Sequence, residues 1–149
     1  MEKKRPFAEM GRKIISGEHP PPPVGQTIGF RIVDIAPDRA VFEMEAVASR
    51  HANPMGTLHG GILCDLSDGA MGMAWASELE EGETFTTLEL KINFVKPVWK
   101  SRLVAEGKVI RAGRTIGLVE GRVTDDSGSL VAFATSTCMT LRGAAARGR

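Results

Sequence analysis

The hydrophobic pattern along this chain changes period once. Ile28, Phe30 and Ile32 alternate with polar neighbours, and Ala36-Pro37-Asp38-Arg39 reads as a turn. Phe42, Met44 and Ala46 then alternate again, with Glu43 and Glu45 facing outward, the period-two signature of a β-hairpin. From about Leu58 to Glu80 the period becomes helical and almost wholly apolar, through Leu58, Ile62, Leu63, Leu66, Ala70, Met71, Met73, Ala74 and Trp75. A helix apolar on most sides favours enclosure over a seat on a surface. Alternation then resumes: Leu88, Leu90, Ile92 and Phe94 interleave with Glu89, Lys91 and Asn93, the clearest half-buried strand in the chain. Three more strands are predicted near 101–111, 115–125 and 129–140, separated by the turns Arg111-Ala112-Gly113-Arg114 and Asp125-Asp126-Ser127-Gly128.

The resulting order, ββ-α-ββββ, predicts an α+β fold in which one antiparallel sheet wraps around one long central helix. At roughly 1.5 Å per residue that helix spans about 30 Å, enough to cross the sheet. Gly69 and Gly72 lie inside it and each costs about 1 kcal/mol relative to alanine. Close approach of another backbone, from the sheet or a second subunit, accounts for them. A six-stranded sheet with two edges would also gain from pairing with a second copy.

Flanking segments divide the chain into three. Residues 1–23 read as a short basic helix followed by a stiff linker, His19-Pro20-Pro21-Pro22-Pro23. Residues 24–141 form the domain, and the small, basic stretch 142–149 points to disorder.

Composition narrows the function. Apolar content of 42% and charged content of 25% describe an ordinary globular protein, and the formal net charge of +1 gives no field favouring nucleic acid or an acidic membrane. Cys64 and Cys138 stand far apart without metal-type spacing, which fits a reducing, cytoplasmic compartment better than a disulfide framework. Asp65, Asp68 and Glu78 make the apolar stretch an improbable membrane span. His19, His51 and His59 have no carboxylate or cysteine pattern around them, so no metal site is expected. No phosphate-cradling glycine loop is present either, and no cofactor is expected.

One segment concentrates the chemistry: Asn53-Pro54-Met55-Gly56-Thr57-Leu58-His59-Gly60-Gly61, then six residues, then Asp68. A glycine pair where a helix begins offers unpaired backbone N–H groups at the positive end of the helix dipole. Gly60 and Gly61 have no side chain to block a carbonyl, so their amides could hold a developing oxyanion. Asp68 lies on the same helical face as Gly61 (i, i+7). Asp65 is the competing carboxylate, three residues earlier. Cys64, on an apolar helix without a histidine nearby in sequence, reads as a packing residue.

This segment resembles the signature of hotdog-fold acyl-CoA thioesterases of the phenylacetate-pathway (PaaI) type, in the 4-hydroxybenzoyl-CoA thioesterase superfamily. The similarity extends to Thr87-Leu88-Glu89-Leu90-Lys91-Ile92-Asn93-Phe94-Val95-Lys96-Pro97 and to Gly113-Arg114, and covers nearly all of 24–141. It implies hydrolysis of an acyl- or aryl-CoA thioester to CoA and free acid. It further implies that Asp68 is the general base or nucleophile, that Asn53 orients the carbonyl and that Thr87 positions water. His59 would contact the substrate carbonyl or the catalytic carboxylate, or make a structural hydrogen bond across the subunit contact. Gly61, Met71 and Arg114 would bind substrate, Arg114 at the CoA phosphates. The site is expected between two subunits of a homodimer, with dimers paired into a homotetramer. Two other readings share the fold. An enoyl-CoA hydratase-like enzyme needs a His/Asp or His/Glu setting absent here, and an acyl-CoA-binding regulator needs a DNA-binding helix pair for which residues 1–23 are too short and too proline-broken.

Overall fold

A computed structural model describes residues 3–149; residues 1 and 2, the start of the expected basic segment, lie outside the described residues. Six strands form one antiparallel sheet: β1 (Phe30–Ala36), β2 (Arg39–Ala46), β3 (Glu83–Phe94), β4 (Ser101–Ala112), β5 (Ile116–Thr124) and β6 (Leu130–Arg142). Their order across the sheet is β1-β2-β4-β5-β6-β3. Hairpins connect β1 to β2 and β4 through β5 to β6 at the predicted turns. Between β2 and β3 runs the long helix, Gly60–Ala76, which carries the chain to the far edge. Preceding it are three short helices, α1 (Pro6–Ser16), α2 (Pro23–Ile28) and α3 (Ala48–His51); the long helix is α4. It touches every strand, which a flat sheet would not permit, so the sheet is curled around it.

Alternation produced this core. Phe42 and Met44 of β2, Leu103 and Ala105 of β4, Val119 and Val123 of β5, and Ala134 and Cys138 of β6 are buried under the helix residues Leu63, Leu66, Met71 and Trp75. Each large side chain so buried contributes about 1.5–3 kcal/mol. Strand glycines set the depth of the helix. A Cβ on Gly107 would lie 2.3 Å from the Ala70 carbonyl oxygen, and one on Gly117 would lie 2.0 Å from the Trp75 ring. The helical glycines do something else: Gly69 makes room for the Phe42 ring and Gly72 for the Phe85 ring, at 3.3 and 3.2 Å from the position of a Cβ. The close backbone approach expected at Gly69 and Gly72 is therefore found at Gly107.

Three local readings are corrected. Ile28 ends α2 instead of starting a strand, because Pro23 stands where helices tolerate proline and Gly29 (φ 96°) caps the turn. The Leu88–Phe94 alternation is broken by a bulge between Thr87 and Glu89, which leaves Leu88 53% exposed. The C-terminal stretch, whose composition points to disorder, carries β6 to Arg142 and then a 3-10 turn over Gly143–Ala146.

The two sheet edges differ. At β1, helices α1 and α2 pack against the strand, where Gly11 of α1 meets the Ile35 side chain; at the other edge Phe7 of α1 meets Phe85, near the start of β3, edge to face at 6.2 Å. Further along β3 the edge is open, with Leu88, Phe94 and Val95 all more than half exposed. Among the described residues no helix is long and apolar enough to cross a membrane.

Candidate active site

The start of α4 is fixed by the loop before it. His59 N–H donates to the His51 carbonyl (2.8 Å) and Leu58 N–H to the Val98 carbonyl (2.7 Å). His51 is only 4% exposed, accepts from Val47 N–H through Nδ1 (3.1 Å) and donates through Nε2 to the Ile28 carbonyl (2.7 Å). One ring thus ties the ends of β2 and α2 to the helix start. No sequence motif singles it out, because its partners are backbone groups distant in the chain.

His59 caps α4, its Nδ1 accepting from Gly61 N–H at 2.9 Å. With Nδ1 so engaged, the neutral ring carries its proton on Nε2. The expected pair of free amides is therefore one: Gly61 is committed to the cap, whereas Gly60 N–H donates to no other described group. No acidic residue lies in the first turn to neutralise the positive helix end. The bare face of Gly60 looks at the Phe94 ring of β3, whose Cζ lies 2.8 Å from the position of a Cβ.

Asn53 organises the loop. Its Oδ1 accepts from Met55 N–H (3.0 Å) and Thr57 N–H (3.1 Å), and its Nδ2 donates to Thr57 Oγ1 (2.7 Å). The turn needs Gly56 at φ 88°, a conformation that side chains disfavour. One Nδ2 hydrogen remains for a ligand. Asn53, Thr57, Gly60 and Phe94 line one cleft of about 390 Å³.

Asp68 lies further along the same edge. Its Oδ1 accepts from Thr87 Oγ1 at 3.0 Å. The bulge makes this contact possible. Thr87 pairs with Cys138, while after the bulge Leu90 pairs with Ser136 and Ile92 with Ala134, all on the helix-facing side. Without the extra residue, Thr87 would sit on the opposite face from Leu90, Ile92 and Phe94; bulges commonly re-aim a side chain in this way. Cys64, Asp65, Asp68 and Thr87 share an open cleft of about 380 Å³ with Leu88, Glu89 and Leu90. Burial, and then the Asp68 charge, raise the Asp65 carboxyl above the usual aspartate value. Burial and the same two carboxylates push the Cys64 thiol up, which keeps it protonated and unreactive.

Gly60 and Asp68 do not converge within one chain. Eight residues of helix separate them by about 12 Å, and each faces a different part of β3. Two other expected residues lie elsewhere. Met71 is fully buried against Gly121 of β5, so it belongs to the core under the sheet. Arg114 is exposed in the β4–β5 turn, at the end of the sheet away from Gly60.

Comparison with known proteins identifies the family. The model of the thioesterase superfamily matches residues 55–132, which hold Gly60, Asp68 and Thr87. SSO2140 of Saccharolobus solfataricus, which bears an esterase name, is 35% identical over 115 residues, 77% of this chain and 81% of that protein. The 1,4-dihydroxy-2-naphthoyl-CoA hydrolase of Listeria monocytogenes is 28% identical over 75% of this chain and 90% of its own. A phenylacetic acid degradation-related protein from Ralstonia eutropha superposes with a TM-score of 0.78 at 31% identity, covering 87% of this chain and 98% of that one. The curled sheet, the enclosed helix and the matched segment together place this chain in the thioesterase superfamily, as a hotdog-fold thioester hydrolase.

Proposed function

We propose that the protein hydrolyses acyl- or aryl-CoA thioesters in a site shared by two copies of the chain, with Asp68 of one copy acting opposite the Gly60 amide of the other. The observation that carries this reading is the placement of a free Gly60 N–H and a Thr87-held Asp68 at two points of the open β3 edge. A carbonyl oxygen and the atom attacking its carbon must lie within a few ångströms of each other, and a ~12 Å helical separation forbids that in one chain. Antiparallel pairing of β3 with its counterpart about a two-fold axis near Leu90 and Lys91 sets Thr87 of one chain beside Asn93 and Phe94 of the other. Asp68 then faces the second chain's Gly60.

In such a site the Gly60 N–H and the positive end of α4 stabilise the oxyanion as the carbonyl is attacked. Asp68 takes the proton from the attacking water, or attacks the carbonyl carbon itself and forms an anhydride that water then opens. Either route breaks the C–S bond and releases the CoA thiolate, which takes up a proton. Thr87 holds the carboxylate in place. His59 keeps the helix start rigid through its cap on Gly61, and the remaining Asn53 Nδ2 hydrogen is available to the carbonyl. The names of two relatives, a 1,4-dihydroxy-2-naphthoyl-CoA hydrolase and an acyl-coenzyme A thioesterase, support CoA esters of aromatic or other acyl groups as the substrate class. Antiparallel pairing also turns Arg114 of the second chain toward the Gly60 end, where CoA phosphates would leave the cleft. A cluster on the outer sheet face, Ile110, Ile116 and Leu118, is 43–50% exposed and offers a contact for pairing dimers into a tetramer.

Release of free thiol from a panel of CoA esters tests the activity, with Asp68→Asn as the diagnostic variant. Loss of turnover with retained CoA-ester binding supports the assignment. An asparagine variant as active as the parent removes Asp68 from the chemistry.

A further inference from the structure

An apolar cavity lies away from the residues of the proposed site. It encloses about 280 Å³ between α1, the His19–Pro22 segment, β1 and α4, and its walls include Met10, Ile14, Pro21, Phe30, Phe42 and Met73. Its roof is fixed in place. His19 N–H donates to the Lys13 carbonyl (3.1 Å), Gln26 Nε2 donates to the Pro21 carbonyl (2.8 Å), and prolines have little backbone freedom to lose. Of the polar side chains in the lining, Arg31 is held outward by Glu43, to which its Nε donates at 3.1 Å. His19 is the other polar residue of the lining; the remaining walls are apolar or glycine and proline, and the cavity is pre-formed.

Its walls reach the proposed site. Phe42 and Phe30 meet edge to face at 5.8 Å. Both rings press on Gly69, the residue after Asp68, at 3.3 and 3.7 Å from the position of a Cβ. Met73, in the cavity, is five residues beyond Asp68, about 7.5 Å along the helix axis. Gly69, next to Asp68, carries no side chain between it and the Phe42 and Phe30 rings that wall the cavity.

We infer that this cavity takes the apolar end of the acyl group, so that the N-terminal helix and the proline segment set acyl size. The inference rests on the thioesterase reading above. A dry cavity of roughly 150 Å³ accommodates benzene, so the space fits one aromatic ring or a medium-length chain and rejects long or charged acyl groups.

Variants of the roof test it by turnover of acetyl-, hexanoyl-, octanoyl- and benzoyl-CoA. Met10 is 39% exposed and tolerates replacement, so Met10→Trp and Ile14→Trp narrow the cavity without touching Asp68 or Gly60. Each is expected to lower kcat/KM for hexanoyl- and benzoyl-CoA by about tenfold or more while leaving acetyl-CoA unchanged, since one methylene in an apolar pocket is worth about 10–200-fold. Ile14→Ala is expected to raise octanoyl-CoA relative to hexanoyl-CoA. Equal losses for every ester, or no change in any, overturn the acyl-pocket assignment. If the parent protein hydrolyses none of the four esters, the failure belongs to the thioesterase reading instead.

Discussion

Replacing Thr87 by valine isolates the contact that holds Asp68. Valine keeps the shape and the strand preference of threonine, and Thr87 is only half-buried on an edge strand, so folding stability should change by less than about 0.5 kcal/mol. The hydrogen bond lost to Asp68 is that from Thr87 Oγ1 to Asp68 Oδ1 at 3.0 Å. Hydrogen bonds to charged groups contribute about 1.5–3 kcal/mol. Asp68 is solvent-exposed within one chain, which favours the lower end of that range. At 1.36 kcal/mol per factor of ten, about 1.5 kcal/mol is roughly a tenfold loss in kcat. KM should hold, because Thr87 acts on the carboxylate and not on CoA. Thr87→Ser keeps the hydroxyl and should recover most of the rate. Thiol release at saturating substrate, with thermal melting of each variant, reads all three quantities. An unchanged kcat for the valine variant, or a serine variant as slow as valine, refutes the reasoning.

Two other perturbations address the scaffold. Gly107→Ala places a Cβ 2.3 Å from the Ala70 carbonyl oxygen, where neither backbone can yield. Urea unfolding should show destabilisation at or above the top of the usual ~1–3 kcal/mol overpacking range, and a change within error would mean that α4 does not lie on β4 as described. Asp65→Asn should raise the melting temperature at pH 7. Burial and Asp68 raise the Asp65 carboxyl in the folded protein above its ordinary 3.8, so ionisation costs stability as pH rises past that value, and the advantage of asparagine should fade below it. A pH-independent difference would contradict the sign.

The fold was legible because its signals are periodic. Alternation located the strands of the hairpins, and an apolar stretch with few charges announced an enclosed helix. The glycine pair and Asp68 were singled out by the segment that resembles the family signature, and their roles rest on the proposal above. What escaped depended on contacts between distant residues. Leu88 continues a perfect alternation, and only the pairing of β3 with β6 shows that it bulges out and hands the inner face to Thr87. Met71, an apolar helix residue expected to bind substrate, turns its side chain toward Gly121 of β5. Gly61 looks like a free amide until the His59 ring is seen to occupy it. His51 carries no pattern at all, since it bonds backbone groups brought together by folding.

Division of the site between two chains is tested most directly by complementation. Asp68→Asn and a Gly60→Val variant, whose side chain obstructs the amide, are each expected to be nearly inactive. Unfolding and remixing them at equal amounts gives half of the dimers as hybrids. Each hybrid carries one doubly altered site and one intact site, so the mixture should recover about a quarter of parental activity if each site draws on both chains. A mixture no more active than its two components would place Asp68 and Gly60 in the same chain's site and contradict the account.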